Sequence, residues 1–221
     1  MTRTTGRYAI STTLGEPVQA FVPHSLPPRR PVLAADSYAQ LNTAAELALA
    51  RLAGVSGLVP SVDWLLYSAI RKEALLTSQI EGTQASLADL FDDEAGLAVS
   101  NADDVEEVTN YLRAFRLVQD NLRNPQGLPL SVRLICDAHR LLMNGVRGSG
   151  KQPGELRRSQ NWIGGTRPGN AAFVPPPPEH IATLLGDLER FVPAPAPLLP
   201  PLVRVALVHA QFQTIHPFLD G

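Results

Sequence analysis

His216, Phe218 and Asp220 stand together at the end of an apolar helical stretch that runs from Pro201 to Ile215. An imidazole there is suited to take a proton, because its unperturbed pKa lies near neutrality. Asp220 offers a carboxylate to a hard cation such as Mg²⁺, which takes one or two carboxylates together with phosphate oxygens. Gly221 lets the backbone approach an anion closely, and a helix starting after it would present free N–H groups to phosphate. The same residues also fit a plainer arrangement, in which His216 caps its helix and Asp220-Gly221 is an ordinary turn. Spacing alone leaves both readings open.

The elements that must position these groups read as helices. Asp36 offers an N-cap for a helix to about Ala53, with Leu41, Ala45, Leu49 and Leu52 on one stripe. Ser61 opens a second, carrying Leu65, Ala69 and Leu76 into Thr77-Ser78-Gln79-Ile80-Glu81-Gly82. A third spans about Ala102 to Leu122 with Val105, Val108, Leu112 and Phe115 inward, and acidic residues fill its first turns, where the helix dipole favours them. A fourth follows Ser131 to about Asn144, with Leu134, Ala138, Leu141 and Leu142 inward. Helix returns at Glu179–Phe191 (Ile181, Leu184, Leu185, Leu188) and at Pro201–Ile215 (Leu202, Val205, Ala206, Phe212).

Between the fourth and fifth helices the sequence is rich in Gly, Pro and Asn. Two β-type pieces, Asn161–Gly164 and Ala172–Val174, read as a small hairpin. Residues 1–35 hold five prolines and little helical periodicity, so they read as an irregular arm. The organisation is then an arm (1–35), an N-terminal helical region (36–100) and a core (101–221). The fold class is all-α with one small hairpin.

Composition narrows the function. The chain has 221 residues, 44% hydrophobic and 18% charged, which is ordinary globular composition. Nineteen basic against twenty-one acidic residues give a net charge of -2, which argues against a large nucleic-acid footprint. Cys136 is the one cysteine, so neither an intrachain disulfide nor a cysteine-based zinc site can form. No apolar stretch is long enough for a membrane helix, and the N-terminus lacks a secretory h-region, so a cytoplasmic location is the expectation. The terminal Asp-Gly is a turn signal that expects more chain, and the sequence reads as a fragment or a prematurely terminated product.

The segment Ala210-Gln211-Phe212-Gln213-Thr214-Ile215-His216-Pro217-Phe218-Leu219-Asp220-Gly221 resembles the start of the Fic family signature, His-Pro-Phe-x-Asp/Glu-Gly-Asn-Gly-Arg. The resemblance extends through Pro153–Gly165, Phe173–Pro176 and Thr77–Gly82, and covers most of the chain from about residue 30. It implies a Fic-like helical bundle with a hairpin flap and an N-terminal helical extension. It also implies an enzyme that moves AMP from ATP to a hydroxyl of a target protein, with ATP and Mg²⁺ as its cofactors.

By the same resemblance His216 is the general base, Asp220 holds the Mg²⁺ on the α- and β-phosphates, Gly221 opens the backbone anion hole and Phe218 is a buried anchor. Such transfer depends mainly on positioning and charge neutralisation. Thr77, Glu81 and Gly82 match the inhibitory pattern Ser/Thr-x-x-x-Glu-Gly/Asn, in which Glu81 would pair with the second motif Arg. A carboxylate competes with phosphate for a guanidinium through the same geometry. Trp162, Ile163 and Gly164 fall on the flap that pairs with an extended target segment.

The sequence stops before Asn-Gly-Arg, so the residues given are expected to be inactive by themselves. A non-catalytic fragment acting at most as a binding module is the alternative. A kinase-like Doc relative is a third, which the extension with Glu81 disfavours. The protein target is not specified by the sequence, and homo-oligomerisation stays open. Outside these motifs, His139 reads as a core-edge histidine and Arg157-Arg158 as a solvated pair.

Overall fold

The computed structural model describes residues 4–29, 32–80, 82–193 and 199–220. It is mostly helical, with one two-stranded antiparallel sheet among the described residues. The elements are β1 (Gly6–Thr13), β2 (Glu16–Pro23), α1 (Ala39–Ser56), α2 (Val62–Ile80), α3 (Leu87–Glu94), α4 (Ala102–Arg123), α5 (Val132–Leu142), α6 (Pro178–Phe191) and α7 (Pro201–Ile215). The chain divides into two units: residues 1–51 with 156–219, and residues 52–155 with 220–221. No helix among the described residues is long and apolar enough to cross a membrane.

In the first unit the N-terminal arm is not irregular. β1 and β2 form a regular hairpin, in register from Gly6 opposite Pro23 to Thr13 opposite Glu16. Its turn residues Leu14 and Gly15 both take positive φ, 51° and 80°, as a two-residue turn matched to strand twist requires. Pro17 and Pro23 are tolerated because the ribbon has open edges, where a missing N–H breaks no ladder. Period-2 alternation on β2 sends Val18, Ala20 and Val22 inward, and Val18 and Ala20 pack on Val174 with Trp162 and Ala171 against them. Burying each of the valines is worth about 1.5–3 kcal/mol, and the alanine methyl less. Ile10 and Tyr8 on β1 stay exposed.

The hairpin expected over residues 161–174 is reduced to a single bridge, Ile163 opposite Phe173. Gly164 and Gly165 (φ 68° and 76°) and the short 3-10 turn Pro168–Asn170 occupy the rest, leaving no length for ladders. On α6 the expected Ile181, Leu184, Leu185 and Leu188 are all buried, whereas on α7 Val205 is exposed and only Ile215 is fully buried. The expected stripe on α1 is not buried either: Leu41, Leu49 and Leu52 are exposed.

The second unit is built on α2, α3 and α4, whose core holds Ala74, Leu75, Ala85, Leu90, Val105, Val108 and Leu112. The face of α2 differs from the one expected, since Leu65 and Leu76 are exposed while Arg71, Ala74, Leu75 and Ser78 are buried. α3 was absent from the sequence reading. It is a short helix opened by a capping box, in which Ser86 and Asp89 satisfy each other's backbone N–H groups. Its last residue, Glu94, pairs with the buried Arg71 guanidinium and accepts from Tyr67.

Candidate functional site

α7 ends at His216, which takes the left-handed conformation (φ 47°, ψ 66°) while its N–H still closes the helix onto Phe212 O at 3.0 Å. Left-handed backbone costs an L-residue about 1–2 kcal/mol, so something must hold it there. That group is Arg157, a residue the sequence reading placed in solvent and the structure places in the interior at 2% exposure. Its Nε donates to His216 O (2.8 Å), its Nη1 to Ser159 O (3.1 Å), and its Nη2 to Pro176 O (2.6 Å) and Ile215 O (3.3 Å). The Arg157 backbone N–H adds a bond to Pro217 O at 2.9 Å. Two of the carbonyls at the helix C-terminus, those of Ile215 and His216, are thus taken up by one guanidinium.

Burial and the Arg157 charge act together on the imidazole. His216 is half-buried, and desolvation first, then the neighbouring guanidinium, hold its pKa below the ordinary histidine value. Burial likewise lowers Arg157, to about 10, with the charge of Glu179 working the other way. The imidazole is therefore neutral near pH 7 and able to accept a proton. The His216 carbonyl and N–H are both held, by Arg157 and by Phe212 O. Phe218 is buried, and its carbonyl accepts from Asn161 Nδ2 at 3.2 Å.

The flap lies in the same unit. Ile163 exchanges backbone bonds with Phe173 (2.8 and 3.1 Å), and its carbonyl also accepts from Ala172 N–H at 3.0 Å. Ile163 and Gly164 are exposed, whereas Trp162 is half-buried against the N-terminal hairpin. That hairpin braces the flap at two places. Phe21 N–H donates to Val174 O at 2.8 Å, and the Glu16 carboxylate takes bonds from Arg167 Nη1 (2.5 Å) and Gly169 N–H (3.0 Å). The brace depends on β1 and β2, which lie in a proline-rich stretch whose sequence lacks helical periodicity.

Asp220 belongs to the second unit. Its side chain is exposed, and its backbone carbonyl accepts from His139 Nε2 at 2.7 Å. His139 Nδ1 accepts the Gly154 N–H at 2.8 Å, which assigns the proton to Nε2. The ring is 5% exposed, and desolvation outweighs the Asp220 carbonyl in lowering its pKa. The core-edge histidine of the sequence reading is thus a buried bridge between two backbone segments. Gly148 (φ +81°) lies beneath Asp220: a Cβ there would come within 2.5 Å of Asp220 Oδ2 and of Met143 Cε.

Of the inhibitory pattern, α2 carries Thr77 in its last turns, where the Thr77 hydroxyl donates to Glu73 Oε1 at 3.0 Å. The other oxygen of Glu73 accepts from Tyr111 on α4 at 2.6 Å. Gly82 has φ 102°, which only glycine adopts readily, and ends the segment. Glu81 and Gly221 lie outside the described residues.

Two family models match the chain: Fic/DOC family N-terminal over residues 39–120, and Fic/DOC family over residues 129–221. The protein adenylyltransferase Fic of Drosophila erecta is 27% identical over 146 residues, 64% of this chain and 27% of the relative. That of Drosophila ananassae is 27% identical over 149 residues, 66% of this chain and 28% of the relative. The chain thus spans a little over a quarter of the length of these relatives. Among solved structures, a Fic family protein from Desulfovibrio desulfuricans G20 has a TM-score of 0.66 at 20% identity, over 86% of this chain and 55% of the other. A Fic domain containing signaling protein from Bacteroides thetaiotaomicron has a TM-score of 0.60 at 20% identity, over 75% and 63%. These likenesses establish the fold, and with the two family matches the chain belongs to the Fic/DOC family.

Proposed function

We propose that this chain carries the base and the metal carboxylate of a protein adenylyltransferase, an enzyme that moves AMP from ATP to a hydroxyl side chain of a target protein. The observation that carries the reading is the end of α7, where a neutral, half-buried imidazole is fixed in a left-handed turn by Arg157. Similarity to proteins named protein adenylyltransferase Fic supports AMP as the transferred group.

In this reading His216 takes the proton of the target hydroxyl as its oxygen bonds to the α-phosphorus of ATP. The bond from that phosphorus to the bridging oxygen breaks, and pyrophosphate leaves. Asp220 is the residue that would hold Mg²⁺. Its exposed carboxylate is the donor type this ion prefers, and the bare Gly148 beneath it leaves space that a Cβ would fill. The ion, when bound, supplies neutralisation of phosphate charge. Gly221, next after Asp220 in the sequence, is assigned to phosphate binding by its place in the family motif.

An extended target segment docks along the exposed Ile163-Gly164 edge through backbone bonds, with Trp162 seating the flap on the hairpin. Glu81, directly after α2 in the sequence, restrains the reaction by competing with phosphate for a guanidinium, and Thr77 and Gly82 complete the inhibitory pattern.

The test uses a chain that continues past Gly221 through Asn-Gly-Arg, incubated with Mg²⁺ and labelled ATP. Glu81→Gly is expected to raise self-labelling and His216→Ala to abolish it. Undiminished labelling in His216→Ala refutes the assignment of the base.

A further inference from the structure

We infer that Arg157 is the positioning residue for His216: its buried guanidinium fixes the left-handed end of α7 and so sets where the imidazole stands. The inference rests on the reading of His216 as the base. An arginine at 2% exposure is costly unless its charge is compensated. No ion pair forms at Arg157 among the described residues, and its compensation comes from carbonyl oxygens. Those oxygens belong to Ser159 before the flap, Pro176 after it, and Ile215 and His216 at the end of α7. A planar fork of five donors can serve several acceptors in fixed directions, which a lysine ammonium on a flexible stem cannot.

Three consecutive carbonyls, from Ile215 to Pro217, end on this one residue. Helices that turn left-handed at their C-terminus usually do so with Gly or Asn. Here a histidine does it with φ 47°, and the bonds from Arg157 to either side of His216 replace the freedom a glycine would have had. The guanidinium also presents a positive charge to the imidazole, which favours the neutral ring; Glu179 is the opposing charge nearest in effect on Arg157.

The test needs no nucleotide and uses the 221-residue chain, isotopically labelled and followed by NMR. Arg157→Lys keeps a positive charge and loses the fork; Arg157→Met keeps bulk and loses both. In Arg157→Lys the His216 Cα shift and backbone coupling are expected to leave their left-handed values, while amides of α6 and mid-α7 stay protected. In Arg157→Met the imidazole titration midpoint is expected to rise toward the ordinary histidine value as well. Left-handed signatures retained in both variants overturn the inference. Loss of the whole fold in both also overturns it, since Arg157 would then serve the core and not His216. Because these readouts involve no transfer, a failure of ATP labelling beside the expected NMR result refutes the adenylylation reading and leaves the positioning role standing.

Discussion

Replacing His139 by alanine removes the bridge between the loop after α5 and the backbone of Asp220. The Gly154 N–H, in a buried residue, loses its acceptor at 2.8 Å, and an unsatisfied buried donor costs about 1–3 kcal/mol. The Asp220 carbonyl loses a donor at 2.7 Å, but Asp220 is exposed and water replaces most of that bond. Vacating a ring that is 5% exposed adds on the order of 1–2 kcal/mol for the unfilled volume. The two costs sum to about 2–5 kcal/mol, or a fall of about 1–2.5 M in the urea midpoint for a slope near 2 kcal/mol/M. The assay is urea unfolding at mildly alkaline pH, where the imidazole is neutral, with hydrogen exchange at the Gly154 amide. That amide is expected to be protected in the parent chain and to exchange freely in the variant. His139→Gln, which can accept and donate at similar reach, is expected to recover part of the loss. A midpoint shift below about 0.5 M with an unchanged slope would refute the bridge.

The two depressed histidines give a signed pH dependence. His139 and His216 bind protons more weakly in the folded chain than in the unfolded one, whose histidines titrate near about 6.5. Stability is therefore fully present above that pH and falls as pH drops toward the folded values. Thermal melts across this range should show an acid limb that flattens in His139→Ala, and an unchanged limb counts against the assignment. Gly148→Ala puts a Cβ 2.5 Å from Asp220 Oδ2 at φ +81°, and is expected to cost about 1–2 kcal/mol and to weaken Mg²⁺-dependent nucleotide binding. Calorimetric titration with Mg²⁺ and ATP on a chain continued through Asn-Gly-Arg checks it. Glu16→Ala releases Arg167 and the Gly169 N–H at an exposed site, so stability should change by less than about 1 kcal/mol. Exchange at the amides of residues 167–170 should nevertheless quicken, and unaltered exchange contradicts bracing of the flap by the hairpin.

Most helices were legible because apolar periodicity and Ser, Pro and Gly punctuation agree at their ends. The bounds of α7 and the buried face of α6 follow directly from the pattern. The N-terminal hairpin was not legible as read, although Leu14-Gly15 between β-rich runs was an available turn signal. Five prolines masked it, two of which sit where an open strand edge accepts them. α3 is hard to read because eight residues give only about two turns of periodicity, and the informative feature is the cap at Ser86 and Asp89. At the site, the local motif pointed to His216 and Asp220, but not to the residues that hold them. Arg157 and His139 owe their roles to backbone carbonyls 59 and 81 positions away in the chain, which no local pattern encodes.

The central claim is transfer of AMP with His216 as the base, and its most direct test compares ATP labelled on the α-phosphate with ATP labelled on the γ-phosphate. The chain should continue through Asn-Gly-Arg and carry Glu81→Gly, with His216→Ala as the paired control. Label on protein from the α-position only, and lost in the control, is the predicted result. Label from the γ-position, or equal labelling with His216 removed, would contradict the account.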